Sequence, residues 1–101
     1  MRELRGHKGS VLSAEFSPDG TILASGDSRG RVMLFDVASG RRIAELKAHK
    51  ERCFGLAFSR DGMYLATVSW DRLVKIWDVE TRQLITSLGI ELFQVFPNEN
   101  D

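Results

Sequence analysis

Phe16-Ser17-Pro18-Asp19-Gly20-Thr21-Ile22-Leu23-Ala24-Ser25-Gly26 and Phe58-Ser59-Arg60-Asp61-Gly62-Met63-Tyr64-Leu65-Ala66-Thr67-Val68 are one pattern written twice, 42 residues apart. The correspondence extends in both directions. Glu3, Leu4, His7 and Lys8 meet Glu45, Leu46, His49 and Lys50, and Val32, Asp36, Val37 and Ile43 meet Val74, Asp78, Val79 and Ile85. Across the 46 pairs from 1/43 to 46/88 there are 15 identities, where average composition gives about 3 by chance. Conservative pairs such as Ser25/Thr67, Leu34/Ile76 and Phe35/Trp77 extend the match. A period of this length marks an internally repeated architecture.

Each unit reads as four short strands. In the first, the spacing predicts strands over 11–16, 22–26, 31–36 and 42–46. Ser17-Pro18-Asp19-Gly20 forms the first turn, with Pro presetting φ at its second position and Gly suiting the fourth. Turns around 27–30 and at 38–40 separate the others. The second unit predicts strands over 53–58, 64–69, 73–78 and 83–88. Strands spaced about ten residues apart, with turn signals between them, indicate an all-β meander.

Composition narrows the function. The chain of 101 residues is 43% hydrophobic and 28% charged, the balance of a globular protein. Its 14 basic and 14 acidic side chains cancel, so bulk charge draws it neither to nucleic acid nor to an anionic membrane. The N-terminus has charges where a signal peptide needs an apolar stretch, and no apolar run reaches the roughly 20 residues of a membrane span. Cys53, the single cysteine, has no internal partner and reads as a small buried side chain. An intracellular setting is expected, with cytoplasm and nucleus left open.

Gly6-His7 with Phe35-Asp36, and Ala48-His49 with Trp77-Asp78, together with the Phe-Ser-x-Asp-Gly and Leu-Ala-Ser/Thr segments, carry a family resemblance. The frame is similar to the Gly-His…Trp-Asp frame of WD-repeat β-propellers, and it covers residues 3–88. The resemblance implies an all-β fold of two four-stranded blades: residues 6–46 as one repeat and 47–88 as the next. Residues 1–5 are expected to end an outer strand of a preceding blade, and 89–101 to form a divergent tail. Propellers close with roughly four to eight blades, so two units imply part of a larger ring or a chain that self-associates.

The same resemblance implies a buried polar network of His49, Thr67, Asp71 and Trp77. The matching residues of the first unit are His7, Ser25, Arg29 and Phe35, which lack an acceptor and a donor. There the network is expected to fail, His7 to be partly solvated and the first blade to be looser. Family contact positions on the channel rim fall on Arg52, Phe54 and Trp70 in the second unit and on Ser10, Leu12 and Ser28 in the first. Trp and Arg dominate interface energetics. Phe54 also reads as a core side chain. Lys47, Lys50, Arg52 and Arg72 make the second rim basic, suited to an acidic or phosphorylated peptide.

The expected function is a non-catalytic protein-interaction scaffold with no cofactor and no metal. Two alternatives are a substrate-recognition subunit of a ubiquitin ligase and a nucleic-acid-associated propeller. The first is weakened because Glu80 and Ala38 stand where such members carry Arg. A hydrolase would need an activated nucleophile; His49, Asp71 and Thr67 resemble a triad, but the family uses that arrangement as packing. No phosphate-binding glycine loop opens a helix.

Overall fold

The computed structural model describes residues 3–90 as two four-stranded antiparallel sheets with no helix among the described residues. The first contains β1 (Val11–Phe16), β2 (Ile22–Asp27), β3 (Arg31–Asp36) and β4 (Arg42–Lys47), paired in chain order. The second contains β5 (Cys53–Phe58), β6 (Tyr64–Ser69), β7 (Leu73–Asp78) and β8 (Leu84–Gly89), in the same order. All-β blades are therefore present, with each expected strand found within one residue of its place. Gly89, expected in the tail, pairs with Leu73 at the end of β8. Residues 3–5 pair with no strand among the described residues. The apolar tail positions Leu92, Phe93, Val95 and Phe96 lie outside the described residues.

Local chemistry explains the repeated turns. Ser17 Oγ donates to Asp19 Oδ1 at 2.8 Å and accepts from the Ile22 N–H at 3.0 Å, while Asp19 Oδ1 also accepts from the Thr21 N–H. Ser59, Asp61, Met63 and Tyr64 repeat these bonds in the second sheet. Both inner strand pairs are also bulged at one repeat position, between Val11 and Ser13 and between Cys53 and Gly55.

The core lies in the seam between the sheets. Ala24, Val32 and Leu34 of the first meet Cys53, Leu65 and Trp77 of the second, with Leu46 and Ala48 between them. Ile22, Ala44, Leu56, Phe58 and Val79 pack around that cluster. Burial also corrects an expectation: β3 is buried from Val32 to Phe35, whereas most of β7 is only half-buried, so the first blade is not the more open one.

Candidate binding rim and its buried supports

Strand alternation points Thr67 and Trp77 of β6 and β7 at the incoming His49, which crosses their edge just before β5. His49 Nδ1 lies 2.8 Å from Asp71 Oδ2, and its Nε2 lies 2.7 Å from Thr67 Oγ1. The carboxylate can only accept, so Nδ1 carries the hydrogen. Trp77 Nε1 donates to Thr67 Oγ1 at 3.1 Å. Asp71 Oδ1 accepts from the Leu73 N–H at 3.0 Å, which ties the turn to β7. Burial alone raises the Asp71 pKa; the His49 hydrogen bond and charge, with the Leu73 and Lys50 N–H groups, outweigh it and hold the carboxyl below its ordinary value. Burying a charge is tolerable when its acceptor capacity is filled in this way.

The first blade corrects the expectation drawn from Arg29 and Phe35. His7 Nδ1 lies 2.7 Å from Asp27 Oδ2, and its Nε2 lies 2.5 Å from Ser25 Oγ. The acid stands two residues earlier than in the second blade, and it is wholly buried. His7 is clamped, its side chain only 9% exposed. Asp27 Oδ1 accepts from the N–H groups of Arg29 (2.8 Å) and Arg31 (3.0 Å). Desolvation pushes the Asp27 carboxyl up, but the His7 bond and these two N–H groups hold it below its ordinary value. Only the indole donor is absent, its place taken by buried Phe35.

These supports carry the rim. Trp70 precedes Asp71 and is 59% exposed. Its N–H donates to the Arg52 carbonyl at 3.0 Å, and the Arg52 guanidinium carbon lies 5.0 Å from the centre of its indole ring. That separation is within cation–π range. Ser10 and Ser28 also meet: the Ser10 N–H donates to Ser28 Oγ and the Ser28 N–H to the Ser10 carbonyl. Phe54 is 41% exposed rather than in the core, because alternation along β5 turns Cys53 into the seam and Phe54 away from it. Leu12 is exposed at the matching place on β1. Lys75, unremarked in the sequence, reaches the Ala48 carbonyl through its Nζ at 2.7 Å.

A family model described as "WD domain, G-beta repeat" matches residues 1–36 and 40–78. The chain belongs to the WD-repeat family. Among curated proteins it is 35% identical over 89 residues to the small ribosomal subunit protein RACK1 of Glycine max, spanning 88% of this chain and 27% of that protein. It is 45% identical over 40 residues to human apoptotic protease-activating factor 1, covering 40% of this chain and 3% of that protein. Among solved structures, U3-55K superposes with a TM-score of 0.84 at 26% identity, covering 87% of this chain and 29% of that one. The RRP9 WD40 repeats give the same TM-score at 27% identity, covering 87% of this chain and 28% of that one. The chain thus spans just over a quarter of RACK1 and of the two solved structures, and the two family matches cover β1 to β3 and β4 to β7. WD-repeat scaffolds are generally non-catalytic, and His49, Thr67 and Asp71 are part of the packing here, with His49 and Thr67 buried.

Proposed function

We propose that this chain is a non-catalytic scaffold unit that binds a partner protein through the Arg52–Trp70 rim. The observation that carries the reading is an exposed tryptophan stacked under an arginine, on a turn pinned by the His49–Asp71 bond. A pre-organised aromatic loses little conformational entropy on docking. Trp and Arg are the residue types that supply most interface energy. Phe54, Ser10, Leu12 and Ser28 complete the proposed surface as its surrounding contacts. An intracellular setting fits a chain similar to a small ribosomal subunit protein, with an unpaired, buried Cys53.

The test is selection of peptides on the immobilised chain from a displayed random library, followed by calorimetry. Trp70→Ala and Arg52→Ala are each expected to weaken the selected ligand by about 1–3 kcal/mol, with the far-UV spectrum unchanged. Parent-like binding by both folded variants would place the interface elsewhere. Unfolding of Trp70→Ala would assign that residue to the core.

A further inference from the structure

Beside the seam, Arg29, Arg31, Lys47, Lys50 and Lys75 line one groove of about 510 Å³, with Ala48 and His49 as its floor. Five cationic side chains converge there in a chain whose formal charge is zero. Glu45 lies 3.6 Å from Arg31 and offsets part of that charge, but no carboxylate lines the groove itself. The concentration is not a by-product of the repeat. Arg29, Arg31 and Lys75 stand opposite Asp71, Leu73 and Met33 in the other unit; Lys47 and Lys50 have cationic counterparts in Arg5 and Lys8.

The groove is also built rather than merely populated. Buried Asp27 pins the backbone of both Arg29 and Arg31. Because Asp27 supplies the acid that His7 needs, position 29 is released from that task and its side chain is exposed. Between the two arginines, Gly30 accepts from the His49 N–H at 3.0 Å, stitching their loop to the segment that carries Lys47 and Lys50. Lys75 closes a third side through its bond to the Ala48 carbonyl. These bonds fix the backbone that carries Arg29, Arg31, Lys47 and Lys50, and Lys75 is held at its ammonium group, so the loops that bring the cations together are set before an anion arrives.

We propose that this groove binds a phosphorylated side chain of an acidic peptide, at a site separate from the Arg52–Trp70 pair. A phosphate monoester carries close to two negative charges and three acceptor oxygens, which two guanidinium forks and three ammonium groups can fill. A single carboxylate leaves most of the cations uncompensated. Single-stranded nucleic acid fits less well. Its binding surfaces combine extended basic tracks with aromatic platforms for the bases, and no Phe, Tyr or Trp lines this groove, whose one imidazole, His49, is buried and bonded to Asp71 and Thr67.

The probes are a fluorescein-labelled peptide with one phosphoserine among Glu and Asp residues, its unphosphorylated twin and a labelled single-stranded oligonucleotide. Each is titrated by anisotropy with the full chain at low salt. The phosphopeptide is expected to bind about tenfold or more tighter than its twin. Arg29→Ala and Lys50→Ala should each lower that affinity several-fold, and Arg29→Lys should recover only part of it, because an ammonium group lacks the fork. Arg60→Ala, which removes one positive charge away from the groove, should change nothing. Equal binding of the two peptides overturns the proposal. So does a parent-like Arg29→Ala and Lys50→Ala pair, or an oligonucleotide that outcompetes the phosphopeptide and loses affinity in the same variants.

Discussion

The two blades solve one problem, a buried imidazole that needs an acceptor, with acids at different positions. His49, Thr67, Asp71 and Trp77 were legible in the sequence because register at the 42-residue offset lines them up with the family frame. Asp27 was not, because that offset sets Arg29 opposite Asp71 and Asp27 opposite Ser69. Asp27 closes β2 while Asp71 stands in the turn after β6, so each acid reaches the imidazole of its own blade from a different place in the chain. Asp27→Ala and Asp71→Ala should therefore each cost about 1–3 kcal/mol in urea unfolding, with Arg29→Ala close to the parent. Trp77→Phe should cost less than Asp71→Ala, since the first blade keeps its His–Ser–Asp bonds beside a phenylalanine. The carboxyls also set the acid response. Both folded pKa values lie below the ordinary one, so the stabilisation is present above the unfolded aspartate value of about 3.9. It is lost as pH falls through the lower folded values. Asp27→Asn should flatten that acid limb in a series of urea midpoints; an unchanged limb would remove the carboxylate from the account.

Elements were readable to within a residue because their turns are chemical: Ser-x-Asp-Gly closes β1 onto β2 and β5 onto β6 with the same bonds. What the strands face was harder to read. Alternation is visible in sequence, but the seam that decides which face is dry is a contact between units, and this is why Phe54 was expected in the core. The same seam separates two equivalent loop positions. Gly30 and Arg72 both adopt the left-handed region, at φ 84° and 72°. A Cβ at Gly30 would lie 2.1 Å from the His49 carbonyl oxygen, a backbone atom that cannot swing aside. Arg72 carries its side chain in that conformation, so position 72 does not demand glycine. Gly30→Ala is thus expected to cost more than about 2 kcal/mol, combining left-handed strain with displacement of the seam. Arg72→Ala should leave the urea midpoint close to the parent. Cys53 reports the same seam chemically: burial pushes its thiol up to about 11. A disulfide reagent at pH 8 should label the native parent slowly and Gly30→Ala faster; equal rates would show that the seam does not shield the thiol.

For the whole molecule, the repeat determines what its two open faces resemble. In the seam, the second blade contributes Leu65 and Trp77, with Phe58 and Val79 packed beside them, while Leu46 comes from β4 of the first. The matching residues of the first blade, Leu23, Phe35, Phe16 and Val37, line an apolar cleft of about 200 Å³ together with Leu4, the counterpart of Leu46. Phe16 is 58% exposed there. On the opposite side, Tyr64, Ala66, Val74, Ile76 and Thr86 repeat the face that Ile22, Ala24, Val32, Leu34 and Ala44 present to the seam, and Tyr64 and Thr86 are exposed. One chain's Phe16 face and another's Tyr64 face are therefore related as the two sides of the existing seam. Such a contact is heterologous, and it forms a ring when the rotation per copy closes; roughly two to four copies would supply four to eight blades. The isolated 101-residue chain is expected to gain mass with concentration in light scattering. Phe16→Asp and Tyr64→Asp place a charge on opposite faces, and each variant alone should stay monomeric. Mixed together they should form a capped dimer, because the first retains its Tyr64 face and the second its Phe16 face. A parent that stays monomeric at every concentration would exclude the association. Association of the parent with no pairing between the variants would show that the copies meet through other surfaces.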